Sequence, residues 1–292
     1  MNKAIQILSI TTLLGLLSAP APGCSPFGGE KAVDRETWRP EPGARLVEFD
    51  FQGRRREMIV QVPKKYSPAA SYPVVFAFHG AGRMSRDWLD WMRGLADDKG
   101  FVGVYPQALS GAWEADLGGE NADDLGLTED ILRWLGSVLK VDSSRVYAAG
   151  WSLGGIFACR LARNLPAIAA VAAVSGSFYQ NPRIDDSMAH PALMIVHGRL
   201  DPVIPYQGGM NYAGYYYEPA ESSARLWASH NGCRADPERE ELKAGVSLTR
   251  YQCAPGREVA LYCVEEGSHF LFESEGWLAE EIWEFFERNA PG

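Results

Sequence analysis

Concentrated positive charge is what this sequence most plainly lacks. Its 28 Lys and Arg are outnumbered by 37 Asp and Glu, leaving a formal charge of −9. No basic cluster exceeds the run Arg54-Arg55-Arg56. That run suits a solvated strand or turn better than a phosphate backbone, so no nucleic-acid partner is expected. Histidine and cysteine are scarce, five of each. His, Cys, Asp and Glu nowhere gather at metal-ligand spacing, so neither a metal nor any other cofactor is expected. Internal repeats and a second linker are missing, which points to one domain. Apolar runs long enough to span a bilayer are missing too, because the one candidate, residues 5–17, falls short. What the chain does have in number is 30 Gly and 18 Pro, the mark of many tight turns. Its 292 residues can bury a sizeable core without covalent staples.

The N-terminus has the layout of a targeting segment. Lys3 precedes the apolar run 5–17, and a small, Pro-rich stretch ends in Ala21-Pro22-Gly23-Cys24. Residues 1–24 are therefore expected to be an export signal. Two outcomes stay open: a lipidated Cys24 that anchors the protein to a membrane, or a freely soluble exported protein. Residues 25–43 resemble a flexible tether, and residues 44–292 are expected to form the folded domain. Export permits disulfides. The remaining Cys159, Cys233, Cys253 and Cys263 allow three pairings that spacing does not choose between.

Strand-like and helix-like patterns alternate along the domain. Residues 45–51 and 57–62 alternate apolar and polar across a charged turn, as a hairpin does. Residues 73–78, 101–105, 145–149, 168–174, 192–196 and 259–264 are apolar runs suited to strands buried on both faces. Helical spacing marks 88–99, 124–139, 154–164, 221–230 and 277–289, with Asp123 or Asp124 available to cap the second. The order predicts an α/β fold: a mostly parallel sheet with an antiparallel first hairpin and helices on both faces. Ligands on such sheets bind at the carboxyl ends of the strands.

Chemistry-bearing residues fall at those ends. Gly150-Trp151-Ser152-Leu153-Gly154 is a G-x-S-x-G motif between a strand and a helix, the setting in which a sharp turn lifts the serine hydroxyl clear of the sheet. Ser152 is the expected nucleophile. The α/β-hydrolase order then requires an acid and, later, a histidine on loops after later strands. Asp201 follows the strand 192–196, and His269 follows the strand 259–264 with no competing histidine beyond His230. His269 would take the serine proton, and Asp201 would hold the imidazole tautomer. The backbone N–H groups of Ala81, in His79-Gly80-Ala81-Gly82, and of Leu153 are the expected oxyanion donors. His79 and His197, each in a His-Gly turn, are expected to be structural. Trp151, Trp113 and the aromatic run 212–217 are candidate substrate contacts, since aromatic rims suit phenolic and sugar substrates.

These segments carry a resemblance. His79-Gly80-Ala81-Gly82, Asp123-Asp124-Leu125-Gly126, Gly150 to Gly155, the long stretch His197 to Gly209 and Gly267-Ser268-His269 resemble the secreted esterase family of polyhydroxybutyrate depolymerases, feruloyl esterases and acetylxylan esterases, over residues 45–290. The resemblance implies a serine carboxylic-ester hydrolase of the α/β-hydrolase fold, working outside the cytoplasm on polymer-linked or small aryl and acyl esters, by way of an acyl-enzyme. It puts the triad on Ser152, Asp201 and His269 and the oxyanion donors on Ala81 and Leu153. It also implies a Cys233–Cys253 bridge; Cys159 and Cys263 could be free or paired, and free thiols are expected. Phe270 stands where many members have Trp after the histidine, and Leu153 where many have Asn or Ala. A polysaccharide or polyester substrate and a monomeric state are expected. The competing readings are a peptidase of the same fold, an inactive envelope-binding protein, and acyl transfer to an alcohol.

Overall fold

The structure, a computed structural model, describes residues 31–115, 123–179, 182, 184 and 187–290. The proposed export signal and Cys24 lie outside the described residues.

An 11-stranded sheet runs through the molecule. Its strands, in chain order, are β1 (Val33–Asp34), β2 (Gly43–Phe51), β3 (Arg54–Val62), β4 (Tyr72–Phe78), β5 (Val102–Pro106), β6 (Val141–Trp151), β7 (Ala170–Val174) and β8 (Ala192–Gly198). A separate two-stranded hairpin, β9 (Gly209–Met210) with β10 (Tyr216–Tyr217), precedes β11 (Glu238–Lys243), β12 (Val246–Tyr251) and β13 (Val259–Val264). The sheet order is β1-β2-β3-β5-β4-β6-β7-β8-β13-β12-β11. From β5 through β13 neighbours pair parallel, whereas β2, β3, β11 and β12 pair antiparallel at the two sides.

Every residue of β4 is buried, as expected of a central strand covered on both faces. Side-chain alternation divides it: Val74, Phe76 and Phe78 enter one core layer, and Val75 and Ala77 the other. The first layer is covered by α2 (Asp124–Val138), α3 (Leu153–Asn164) and α4 (Ala220–His230) through Leu127, Ile131, Leu135, Phe157 and Trp227. The second is covered by α1 (Ser85–Lys99) and α6 (Leu278–Arg288) through Trp88, Met92, Ile282 and Phe286. A short helix, α5 (Leu271–Ser274), lies just ahead of α6. Each fully buried side chain of this size contributes about 1.5–3 kcal/mol. The α/β-hydrolase expectation is borne out, and each expected strand and helix is present with ends within a few residues.

Three expectations need correction. Residues 33–43 are not a loose tether: β1 pairs parallel with β2, and Trp38 is buried, its ring 5.1 Å from that of Trp134. One aromatic ring in a composition of Gly, Pro and charge is enough to pin the segment. The Arg54–Arg56 run is not wholly solvated either, since Arg56 is buried and pairs with buried Asp124 at 2.9 Å. Alternation along β3 turns it inward while its neighbours face water. The hairpin of β11 and β12 is absent from the sequence reading, because β11 (EREELK) is exposed throughout and has no apolar face to betray it. Its charges suit a free edge, where they oppose pairing with another chain.

Cys233 and Cys253 form the implied disulfide, 20 residues apart in sequence. Cys159 and Cys263 are buried thiols. Among the described residues no helix is long and apolar enough to cross a membrane.

Candidate active site

The site assembles at the carboxyl ends of β4, β6, β8 and β13. Ser152 sits between β6 and α3 with φ 56° and ψ −124°, a left-handed conformation rare for a residue with a side chain. Its amide is tied to the Val174 carbonyl at 2.8 Å. The turn is tight because both flanking glycines face backbone: a Cβ on Gly150 would collide with the Gly154 carbonyl, and one on Gly154 with the carbonyls of Phe78 and His79. Those close approaches hold the start of α3 against the end of β4.

Three side chains meet in line. His269 Nε2 lies 2.9 Å from Ser152 Oγ, and His269 Nδ1 lies 2.8 Å from Asp201 Oδ2. Asp201 Oδ1 accepts from the amides of Val203 and Ile204 at 2.8 and 2.9 Å, and His197 Nε2 stands 3.3 Å from Oδ2. Asp201 and His269 are buried, whereas Ser152 is partly open to solvent. Burial pushes the Asp201 carboxyl toward the neutral acid. The hydrogen bonds from His197 and His269 outweigh it and hold the group well below the usual carboxylate range.

The loops bearing Asp201 and His269 are strapped together. Arg199 grips Glu265 through two hydrogen bonds of 2.5 and 2.9 Å, and the Leu200 amide donates to the Gly267 carbonyl at 2.9 Å. A planar bidentate pair of this kind fixes orientation as well as distance.

The turn His79-Gly80-Ala81-Gly82 lies over the serine. A Cβ on Gly80 would stand 2.9 Å from the Trp151 ring and 3.4 Å from the Ser152 Cβ. The amides of Ala81 and Leu153 donate to no protein acceptor among the described residues. His79 shapes the turn. Its Nε2 accepts from the Ala108 amide at 3.0 Å and from Gln107 at 2.9 Å, so its Nδ1 carries the proton and donates to the Gly80 carbonyl at 2.7 Å. Burial lowers its pKa to about 4, which keeps it neutral. The structural role expected for His79 holds.

The two candidate substrate tryptophans are placed otherwise. Trp113 is buried and donates its indole N–H to the His79 carbonyl at 2.8 Å, stacked on Phe157. Trp151 is buried and donates to the His269 carbonyl at 2.9 Å. Each braces the backbone of a site element and leaves its ring in the core. Aromatic composition suggested a pocket rim, but an indole N–H in a core seeks a carbonyl, and these carbonyls belong to the site. Trp113 is held in turn by the neighbouring Glu114 amide, which donates to Asp124 Oδ2 at 3.0 Å, and Asp124 is the partner of Arg56.

Exposed apolar surface gathers instead on and beside the hairpin of β9 and β10, at Leu200, Met210, Tyr212 and Tyr216. Buried Asn211 fastens the hairpin: its Oδ1 accepts from the Ala213 and Tyr215 amides, and its Nδ2 donates to the Val203 carbonyl next to Asp201. Sequence reasoning missed Arg199, Glu265 and Asn211. The spacing of Arg199, two residues before Asp201, and of Glu265, four before His269, was the available signal. Among the described residues no group of three or more His, Cys, Asp or Glu could hold a metal ion.

Comparisons with known proteins bear on the fold and the class of the chain. The model of the dienelactone hydrolase family matches residues 65–211. The chain is 24% identical over 248 residues to feruloyl esterase B of Piromyces equi, covering 80% of this chain but only 45% of that enzyme. It is 27% identical over 248 residues to a probable feruloyl esterase C of Aspergillus terreus, covering 79% and 83% of the two chains. Among solved structures it resembles an acetyl xylan esterase from Aspergillus awamori, with TM-score 0.60, 16% identity, and 80% and 94% of the chains covered. It also resembles a poly(3-hydroxybutyrate) depolymerase from Bordetella parapertussis, with TM-score 0.58, 18% identity, and 86% and 92% covered. The structural likenesses carry the fold, the family match carries the class, and the resemblance read from the motifs is borne out: the chain belongs to the dienelactone hydrolase family and is an enzyme, a carboxylic-ester hydrolase.

Proposed function

We propose that the protein hydrolyses carboxylic esters through a Ser152–His269–Asp201 triad and an acyl-enzyme. The observation that carries this reading is the unbroken line of hydrogen bonds from Ser152 Oγ through His269 to Asp201, at 2.9 and 2.8 Å. His269 Nε2 takes the hydroxyl proton as Ser152 Oγ attacks the ester carbonyl carbon. Negative charge then develops on the carbonyl oxygen, which the Ala81 and Leu153 amides receive; a donor of this kind is worth roughly 3–4 kcal/mol in the transition state. Collapse expels the alcohol with the proton from His269. Water, deprotonated by the same imidazole, frees the acid. Asp201 stays ionised throughout, holding the Nδ1 tautomer and balancing the imidazolium.

The substrates proposed are polymer-linked or small aryl and acyl esters of the feruloyl, acetyl or hydroxyalkanoate type. The relatives' names support this, as does an exposed aromatic hairpin beside the acid loop. We infer that the enzyme works outside the cytoplasm. The layout of residues 1–24 supports that inference, and so does a disulfide, which persists in oxidising compartments.

The test is turnover of p-nitrophenyl acetate, p-nitrophenyl butyrate and methyl ferulate by wild type beside Ser152→Ala and His269→Ala. Each variant is expected to lose roughly 10^4-fold or more in kcat. Near-wild-type rates in either would remove the triad assignment.

A further inference from the structure

His197 was expected to be structural, and the geometry points to more: we propose that His197 is a positioning residue that shares the Asp201 carboxylate with His269 and so sets the proton affinity of His269. The proposal rests on the triad reading above.

His197 lies at the end of β8, four residues before Asp201, and its side chain is fully buried. Its Nε2 lies 2.9 Å from the Ile204 carbonyl oxygen and 3.3 Å from Asp201 Oδ2. A carbonyl only accepts, so Nε2 carries the hydrogen and donates it to Ile204, with Asp201 Oδ2 lying 3.3 Å from the same nitrogen. The other nitrogen, Nδ1, is buried with no partner. An orphan of that kind is costly in a core, and a residue kept only for packing has no need of it. What the imidazole adds is an N–H that closes the turn through Ile204 and lies 3.3 Å from the acid.

The carboxylate is thereby saturated: two amides hold Oδ1, and two imidazoles converge on Oδ2. Each donor disperses negative charge that would otherwise act on His269. Losing the His197 donor leaves a more basic carboxylate, which favours the protonated form of His269. His197 also closes the 201–204 turn through Ile204, so the angle at which Asp201 meets His269 depends on it. The charged and titratable groups around this cluster are few. Tyr206 packs edge-on to His197 at 5.8 Å, the Arg199–Glu265 pair lies on the adjoining loops, and Arg199 stands over the Tyr206 ring. The Cys263 thiol contacts Glu265, Tyr217 lies within the field of Asp201, Ser152 faces the far nitrogen of His269, and Arg83 stands over Trp151. None of them donates to Oδ2.

The experiment follows the downfield proton resonance of the His269 Nδ1–H as a function of pH by NMR, in wild type, His197→Phe and His197→Gln. Phe keeps a ring and removes the donor; Gln can return an amide N–H to the Nε2 position. The titration midpoint of His269 is expected to rise by about half to one pH unit in His197→Phe, a three- to tenfold change in the protonation equilibrium, and to return in His197→Gln. An unchanged midpoint in folded His197→Phe would overturn the proposal. Should that variant not fold, His197→Asn, whose amide stops short of the Nε2 position, takes its place: a raised midpoint supports the proposal and an unchanged one overturns it. The measurement uses no substrate. Absence of ester turnover would therefore count against the catalytic reading and leave this one to its own result.

Discussion

Trp151 and His269, 118 residues apart in sequence, are joined by a hydrogen bond from the indole N–H to the His269 carbonyl at 2.9 Å. The residue before the proposed nucleophile thus holds the backbone of the proposed base, and the rings of Trp151 and His269 lie 5.4 Å apart. Because Trp151 ends β6 and is buried, the strand that positions Ser152 positions His269 as well.

Trp151→Phe keeps a ring and removes that donor. The expected outcome is a kcat about tenfold lower with KM little changed, since the base drifts while the binding surface stays. Stability should drop by about 1 kcal/mol from the lost hydrogen bond. Steady-state kinetics with p-nitrophenyl acetate and a urea denaturation curve check both. A raised KM at constant kcat would instead make Trp151 a substrate contact.

His79 links stability to pH. Its pKa is lowered from 6.5 to about 4 by burial, so below pH 6.5 the unfolded chain binds a proton that the folded protein refuses. The stabilisation from neutral His79 is complete above pH 6.5 and is lost as pH falls toward 4, a contribution of roughly 3 kcal/mol. Denaturation midpoints between pH 7 and 4 should fall, and the slope should be shallower in His79→Gln. Equal slopes would show that His79 does not carry the effect.

The disulfide Cys233–Cys253 closes a short loop between α4 and the end of β12. In the chain-entropy account its removal costs about 3 kcal/mol. The double variant Cys233→Ala/Cys253→Ala should unfold at lower denaturant with its kcat intact at 25 °C, because the bridge lies on none of the loops bearing the triad. Loss of activity in the folded variant would contradict that separation.

Tyr212 and Tyr216 are exposed on a hairpin that Asn211 fastens beside the acid loop. If the hairpin receives the polymer, Tyr212→Ala/Tyr216→Ala should raise KM several-fold for a polymeric ester and leave p-nitrophenyl acetate unaffected; about 0.5–1.5 kcal/mol per aromatic contact sets the scale. Equal effects on both substrates would remove the hairpin from recognition.

Much of this protein is legible in one dimension. Strand and helix periods mark the layers, and the solid apolar run around Val74 to Phe78 marks a strand covered on both faces. Ser152, Asp201 and His269 could be proposed from the sequence because the fold ties each to the end of a strand in a set chain order, so position selects among five histidines, and the structure brings the three side chains together. Where local pattern and burial disagree, the sequence is silent: β11 has no apolar face, and Trp38 stands alone in a polar stretch.

Tertiary structure alone decided the partners. Whether an indole lines a pocket or braces a carbonyl, whether Arg56 meets water or Asp124, and which atoms of Asp201 two imidazoles share depend on contacts between residues 68 to 118 positions apart, or on how one turn closes. Composition and spacing name the groups that chemistry needs. Only the packing of one strand end against another brings a donor within about 3 Å of its acceptor, and hydrogen bonds act at no greater reach.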